Sequence, residues 1–158
     1  NLFTHNLKGI FMLTWQDIEN RVLHGNPPAN HRVEKTDDQW SKILPSDVHD
    51  VTRKAGTERP FSSPMCAHFE PGFYACACCD TMLFDATQKF DSGTGWPSFT
   101  QPLEPNAVAY FSDGSLSSVR VEITCSTCDA HLGHIFPDGP APSKLRYCVN
   151  ALSLKRIA

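Results

Sequence analysis

Two Cys-x-x-Cys turns, Cys76/Cys79 and Cys125/Cys128, stand with residues 80–124 between them. Each turn aims two thiolates at one point, and two turns supply the four soft ligands of a closed tetrahedral zinc site. The gap is far longer than in a compact finger, so a metal here would join distant β segments of a larger domain. Cys-x-x-Cys is also a redox motif, and cysteine is often a small buried apolar residue; doubling the motif favours coordination. Cys78 lies inside the first turn and offers a competing thiolate, and the matching spacing assigns Cys76 instead.

The chain has 158 residues and seven cysteines, a length suited to one domain and an odd number unsuited to complete disulfide pairing. Four metal ligands would leave Cys66, Cys78 and Cys148 as further thiols. The N-terminus lacks a basic stretch followed by an apolar run and a small-residue cleavage site, which favours a cytoplasmic protein over an exported disulfide framework. No apolar run is long enough to span a bilayer, so no membrane partner is expected. The net charge of -3 argues against a general grip on nucleic acid, which needs clustered lysine and arginine. The chain is read as a monomer.

Residues 1–55 read as a helical extension packed on a β core of residues 56–158, all in one domain. Thr14 precedes Trp15, Ile18, Val22 and Leu23 at helical spacing, with Asp17 placed for a capping box and Gly25 just beyond. Thr36 and Gln39 make a second such pair before Trp40, Ile43 and the stop at Pro45. Ser46 is expected to cap a third helix ending near Gly56. Beyond Thr57 the texture changes to short β runs at residues 73–76, 81–85 and 108–112, separated by turn formers. In residues 118–124, Val119, Val121 and Ile123 alternate with Arg120, Glu122 and Thr124, which predicts a strand with one buried and one wet face, leading into Cys125. The expected class is mainly β (α+β), with short N-terminal helices and a structural zinc site.

If residues 146–150 are extended, Arg146, Cys148 and Asn150 share one face and Tyr147 and Val149 the other. A guanidinium beside a thiol lowers its pKa, and an amide can orient a polar substrate group. On this segment alone a structural cysteine is the commoner case. His131 and His134 are close enough to approach one site, with Gly133 allowing the backbone to turn between them; zinc ligation and plain core packing compete, but with four cysteines already available to a metal an acid–base or substrate-polarising role is preferred. Gly93-Thr94-Gly95-Trp96 is a turn that permits close backbone approach and ends on a broad apolar wall.

Taken in order, Gly93-Thr-Gly-Trp-Pro-Ser-Phe99, the two cysteine turns, His131-Leu-Gly-His-Ile-Phe136 and Arg146-Tyr-Cys-Val-Asn150 resemble the B-type methionine sulfoxide reductases over residues 56–154. The resemblance implies two facing antiparallel sheets, structural zinc on Cys76, Cys79, Cys125 and Cys128, and reduction of methionine-R-sulfoxide in oxidised proteins. It makes Cys148 the nucleophile, with His131, His134, Arg146 and Asn150 around it. Trp96, Phe136 and Asp138 become substrate-binding residues, with Trp96 against the substrate methyl, and thioredoxin becomes the reductant. Many relatives carry the resolving cysteine where this chain has Thr94, which cannot form a disulfide. Cys66 is therefore the expected resolving thiol, with Cys78 as the second candidate. Two other classes compete: a zinc-stapled binding module, which leaves Cys148 unexplained, and a thiol protease or transferase, for which no substrate motif is present.

Overall fold

The computed structural model describes residues 11–114 and 120–158. Both N-terminal capping boxes form. The Thr14 amide donates to Asp17 Oδ2 at 2.8 Å and starts α1 (Trp15–His24), while Thr36 and Gln39 cap α2 (Asp37–Ile43) in the same reciprocal way. The third helix, α3 (Ser46–Arg53), corrects the expectation of a Ser46 cap: Pro45 is the N-cap, no side chain bonds the first turn, and Ser46 is already helical. Proline supplies the entry by its fixed φ rather than by a hydrogen bond.

The strands are β1 (Phe73–Cys76), β2 (Met82–Asp85), β3 (Lys89–Phe90), β4 (Ser98–Phe99), β5 (Val108–Asp113), β6 (Arg120–Cys125), β7 (His131–Phe136), β8 (Arg146–Val149) and β9 (Leu154–Ile157). They form two antiparallel sheets, β2-β1-β9 and β3-β4-β8-β7-β6-β5. The expected runs at 73–76, 81–85 and 108–112 appear as β1, β2 and β5. The expected strand over 118–124 appears as β6, with Ser118 and Val119 outside the described residues.

Aromatic side chains join the sheets. Phe84 of the small sheet stacks on Phe99 of the large one at 4.3 Å, Tyr74 meets Phe99 edge-on at 5.2 Å, and Phe84 meets Tyr147 at 5.8 Å. The hydroxyls of Tyr110 and Tyr147 are fully buried and satisfy each other at 2.6 Å. Strand β8 thus alternates as predicted, with Tyr147 and Val149 in the core and Arg146 and Cys148 half-buried on the other face. The core side of this strand is what fixes the height at which Cys148 stands.

The helices close the large sheet. The Arg21 guanidinium of α1 lies 5.6 Å from the Tyr110 ring and donates to the Pro105 carbonyl at 2.6 Å. Arg53 of α3 stacks on the buried Trp40 at 4.5 Å and donates to the Cys128 carbonyl at 2.8 Å, so the α2–α3 pair is tied to the second cysteine turn. No helix among the described residues is long and apolar enough to cross a membrane.

Candidate active site

One cavity of about 350 Å³ opens on the Cys148 face of the large sheet, lined by Trp96, His134, Phe136, Arg146, Cys148 and Asn150 together with Thr57, Thr94, Arg120 and Gly133. Its floor is a cross-strand row. Ser98 of β4 pairs with Cys148 of β8, Cys148 with His134 of β7, and His134 with Glu122 of β6. Directly opposed residues on antiparallel strands project to the same face, so this register brings thiol, imidazole and carboxylate to one surface.

The two histidines share that face because of a bulge. Ile123 pairs with Gly133 but Thr124 pairs with His131, which leaves Leu132 as an extra residue in β7. Without it, side chains three apart would point to opposite faces; with it, the His131 and His134 rings lie 5.7 Å apart. The expected turn at Gly133 is thus a bulged strand. What Gly133 provides is space, because a Cβ there would sit 2.0 Å from the Cys148 carbonyl oxygen.

The imidazoles are held differently. Arg120 donates to His134 Nδ1 at 2.9 Å, and Asp113 Oδ2 lies 3.0 Å from Nε2. A guanidinium can only donate, so Nδ1 is an acceptor and the proton of the neutral ring sits on Nε2 toward Asp113. Burial pushes the His134 pKa down, aided by the Arg120 and His131 charges and opposed by Asp113. His131 is buried and bonded through Nδ1 to Glu122 Oε2 at 2.5 Å, behind the cavity rather than in its lining.

Arg146 forms a two-point contact with Asp138, Nε to Oδ1 at 2.8 Å and an Nη to Oδ2 at 3.2 Å, and its guanidinium lies 4.4 Å from the Phe136 ring. Asp138 is itself exposed and its pKa is drawn down by this bond. Arg146 lowers the Cys148 pKa by charge and hydrogen bond, but burial is the larger effect and Glu58 adds a raising charge, so the thiol stands above its ordinary value. The guanidinium alone had suggested the opposite sign. At neutral pH Cys148 rests as a thiol.

Asn150 is fixed at both ends of its amide, with Oδ1 accepting from the Glu58 amide at 3.1 Å and Nδ2 donating to the Leu132 carbonyl at 3.0 Å. Trp96 is pinned through Nε1 to the Glu58 carbonyl at 3.1 Å. Thr94 lines the cavity and closes a hydroxyl chain, Thr94 to Ser92 at 2.8 Å and Ser92 to Ser98 at 2.7 Å. Cys66 sits outside the lining, half-buried in a single 3-10 turn, Pro64–Ala67. Burial raises its pKa against the charge of Lys89.

Away from the cavity, the sulfurs of Cys76, Cys79, Cys125 and Cys128 all lie within 4.8 Å of one another. The Cys76–Cys128 and Cys79–Cys125 distances are 3.6 and 3.7 Å. A tetrahedron of thiolates about 2.3 Å from a central ion has edges of about 3.8 Å, so the four residues fit a metal. An Arg53 Nη stands 3.6 Å from Cys128 Sγ, where it offsets the negative charge four thiolates would gather.

Residues 44–158 match the family model described as the SelR domain. The chain belongs to this family of B-type methionine sulfoxide reductases. The peptide methionine sulfoxide reductase MsrB of Pseudomonas putida (strain GB-1) is 50% identical over 123 residues, covering 78% of this chain and 94% of that protein. Its counterpart from Thioalkalivibrio sulfidiphilus is 51% identical over 119 residues, 75% of this chain and 87% of that protein, and the one from Herminiimonas arsenicoxydans is 49% identical over 124 residues, 78% and 90%.

Within this reductase family member, three residues around the cavity escaped the sequence reading. Arg120 and Glu122 belong to the face of β6 expected to be wet, yet they hold His134 and His131. A charged pair alternating on a strand that leads into the Cys125 turn was the available signal. Glu58 lies before the first strand with no periodicity to mark it, and only the fold brings it to Asn150 and Trp96.

Proposed function

We propose that this protein reduces methionine-R-sulfoxide in oxidised proteins to methionine, with Cys148 as the nucleophile. The observation that carries the reading is the placement of Cys148 in a cavity with an aromatic wall at Trp96 and a polar end at Arg146 and His134. A methyl sulfoxide has this division: an apolar methyl for the indole and a polar S=O bond for the cationic end. The competing binding-module reading has no use for a thiol at the centre of such a cavity.

The chemistry balances without an outside proton. Cys148 sulfur attacks the sulfoxide, the S–O bond of the substrate breaks, and the oxygen leaves on Cys148 as a sulfenic acid, the thiol hydrogen ending on that oxygen. Methionine is the product. Arg146, held by Asp138, stabilises charge on sulfur and oxygen during transfer, and His134 fixes the polar end with its acceptor nitrogen committed to Arg120. Asn150 keeps strand β8 at its height rather than grasping the substrate, since both ends of its amide are engaged by the protein.

Cys66 then condenses with the sulfenic acid, forming a disulfide and releasing water, and the dithiol of thioredoxin reopens it by exchange. Bridging needs the two Cα atoms within roughly 7 Å, so the Cys66 turn, which stands outside the cavity lining, either already lies within that reach of Cys148 or moves into it on oxidation. Zinc is the metal that best suits four thiolates at these distances; Cys76, Cys79, Cys125 and Cys128 would hold it, and its contribution is to join β1 to β6.

A thioredoxin-coupled assay with separated sulfoxide epimers tests the reading. The R epimer is expected to be consumed and the S epimer left. In Cys66→Ser, one methionine per enzyme is still released but cycling falls by at least about tenfold; unchanged cycling rejects Cys66 as the resolving thiol.

A further inference from the structure

Glu58 reaches more of the cavity's supports than any residue given a role above. It lies in the loop between α3 and β1 and is 8% exposed. Its carboxylate accepts from two successive backbone amides, Ala151 at Oε2 and Leu152 at Oε1, both at 2.9 Å. Its own amide donates to Asn150 Oδ1 at 3.1 Å, and its carbonyl accepts from Trp96 Nε1 at 3.1 Å. One residue therefore touches the aromatic wall, the amide that anchors β8, and the short 3-10 turn Ala151–Ser153 that follows the thiol strand.

The side chain and backbone of Glu58 do different work. The carboxylate is the anchor: two charge-assisted bonds to amides fix residue 58 relative to the end of β8. The backbone is the arm, holding the indole and the asparagine. We propose that Glu58 is a positioning residue that sets the distance between the Trp96 wall and the Cys148 strand, and so sets the size of the sulfur substituent the cavity admits. This rests on the reading of Cys148 as nucleophile and Trp96 as the wall for the substrate methyl.

Glutamine keeps the volume of Glu58 but turns one acceptor into a donor, which then faces a backbone amide that also donates. The anchor slips while the backbone arm keeps its chemical groups. Displacement of order 1 Å at a reacting centre is enough to cost roughly a hundredfold in rate, so a partial slip is readable. A mispositioned wall also loosens selection by size, which a general loss of folded protein does not do. Removing the Glu58 charge gives a second signature, because it takes away one carboxylate that opposes the lowering charges of Arg146 and Arg120 on Cys148, while His134 and Glu122 stay on the same face and Asp138 still neutralises Arg146 from outside.

The test compares wild type, Glu58→Gln and the milder Glu58→Asp on one peptide carrying either methionine sulfoxide or ethionine sulfoxide. In Glu58→Gln, kcat/KM for the methyl sulfoxide is expected to fall roughly tenfold and the methyl-over-ethyl preference at least about fivefold, with Glu58→Asp between the two. Alkylation of Cys148 in Glu58→Gln is expected to shift to lower pH. If Glu58→Gln does not fold, Glu58→Asp alone carries the comparison. A preference equal to wild type in the folded variants, whatever their rates, overturns the proposal. Failure of the wild type to reduce either sulfoxide overturns the functional reading on which it rests.

Discussion

His134 stands directly opposite Cys148 in the β7–β8 ladder, and both its ring nitrogens are held by other side chains, Nδ1 by Arg120 at 2.9 Å and Nε2 by Asp113 at 3.0 Å. An imidazole so held is a neutral structural pole of the cavity until pH falls far enough to protonate it. Burial lowers its pKa below the ordinary 6.5, so in acid the unfolded chain takes up this proton before the folded one does. The stability it contributes is present above about pH 6.5 and is lost as pH falls through the lowered value. Urea midpoints measured across this range are expected to drop on acidification, and the drop is expected to be shallower in His134→Gln.

The resting state of the thiol is a second expectation. Burial holds Cys148 above the ordinary thiol value of 9.0 against the lowering charge of Arg146. Alkylation of Cys148, followed on its own peptide by mass spectrometry, is therefore expected to be slow at neutral pH and to rise only in the alkaline range. Arg146→Met is expected to push the profile still higher and to slow sulfoxide reduction by about 100-fold or more through lost stabilisation of developing charge. A profile centred below the ordinary thiol value would reverse this picture of the free enzyme.

Gly133 allows the thiol strand to lie where it does. A methyl group there would meet the Cys148 carbonyl at 2.0 Å, a contact that only backbone movement relieves. Gly133→Ala is expected to destabilise the protein by about 1–3 kcal/mol in urea titration and to lower single-turnover rates at least roughly tenfold. Wild-type rates would mean that β8 can shift without moving the reacting sulfur.

The four-sulfur cluster ties the small sheet to the end of β6. Cys125→Ser is expected to lose the bound metal, measured by elemental analysis. Its thermal midpoint is expected to fall by about 10 °C or more, the scale of several kcal/mol in a domain of this size. Chelation of the wild type is expected to do the same, and folded, metal-free wild type of unchanged midpoint would contradict a structural metal.

How much of this was legible in the chain depended on the range of the interaction. The two capping boxes and β1 depend on residues within a few positions of one another, and the structure has them where the sequence placed them. The alternation of β8 was equally plain. The start of α3 was misassigned because serine and proline both suit a helix entry, and the fixed proline φ decided it. The bulge at Leu132 was hidden, since a glycine between two histidines reads equally well as a turn. Arg120, Glu122 and Glu58 owe their places to contacts across strands and to a loop distant in sequence, which periodicity does not report. The net sign of the Cys148 shift was hidden for the same reason: the arginine is two residues away, but the burial that outweighs it comes from the whole fold.

The most direct measurement is a single turnover without reductant. Wild type, Cys66→Ser and Cys148→Ser are each mixed with a peptide carrying methionine-R-sulfoxide, and methionine release is followed together with the mass of the Cys148 peptide. Wild type and Cys66→Ser are expected to release one methionine per enzyme, with Cys66→Ser retaining one oxygen on Cys148 that a 1,3-diketone traps. Cys148→Ser is expected to release none. Methionine release by Cys148→Ser at the wild-type level would contradict the assignment of Cys148 as the attacking thiol.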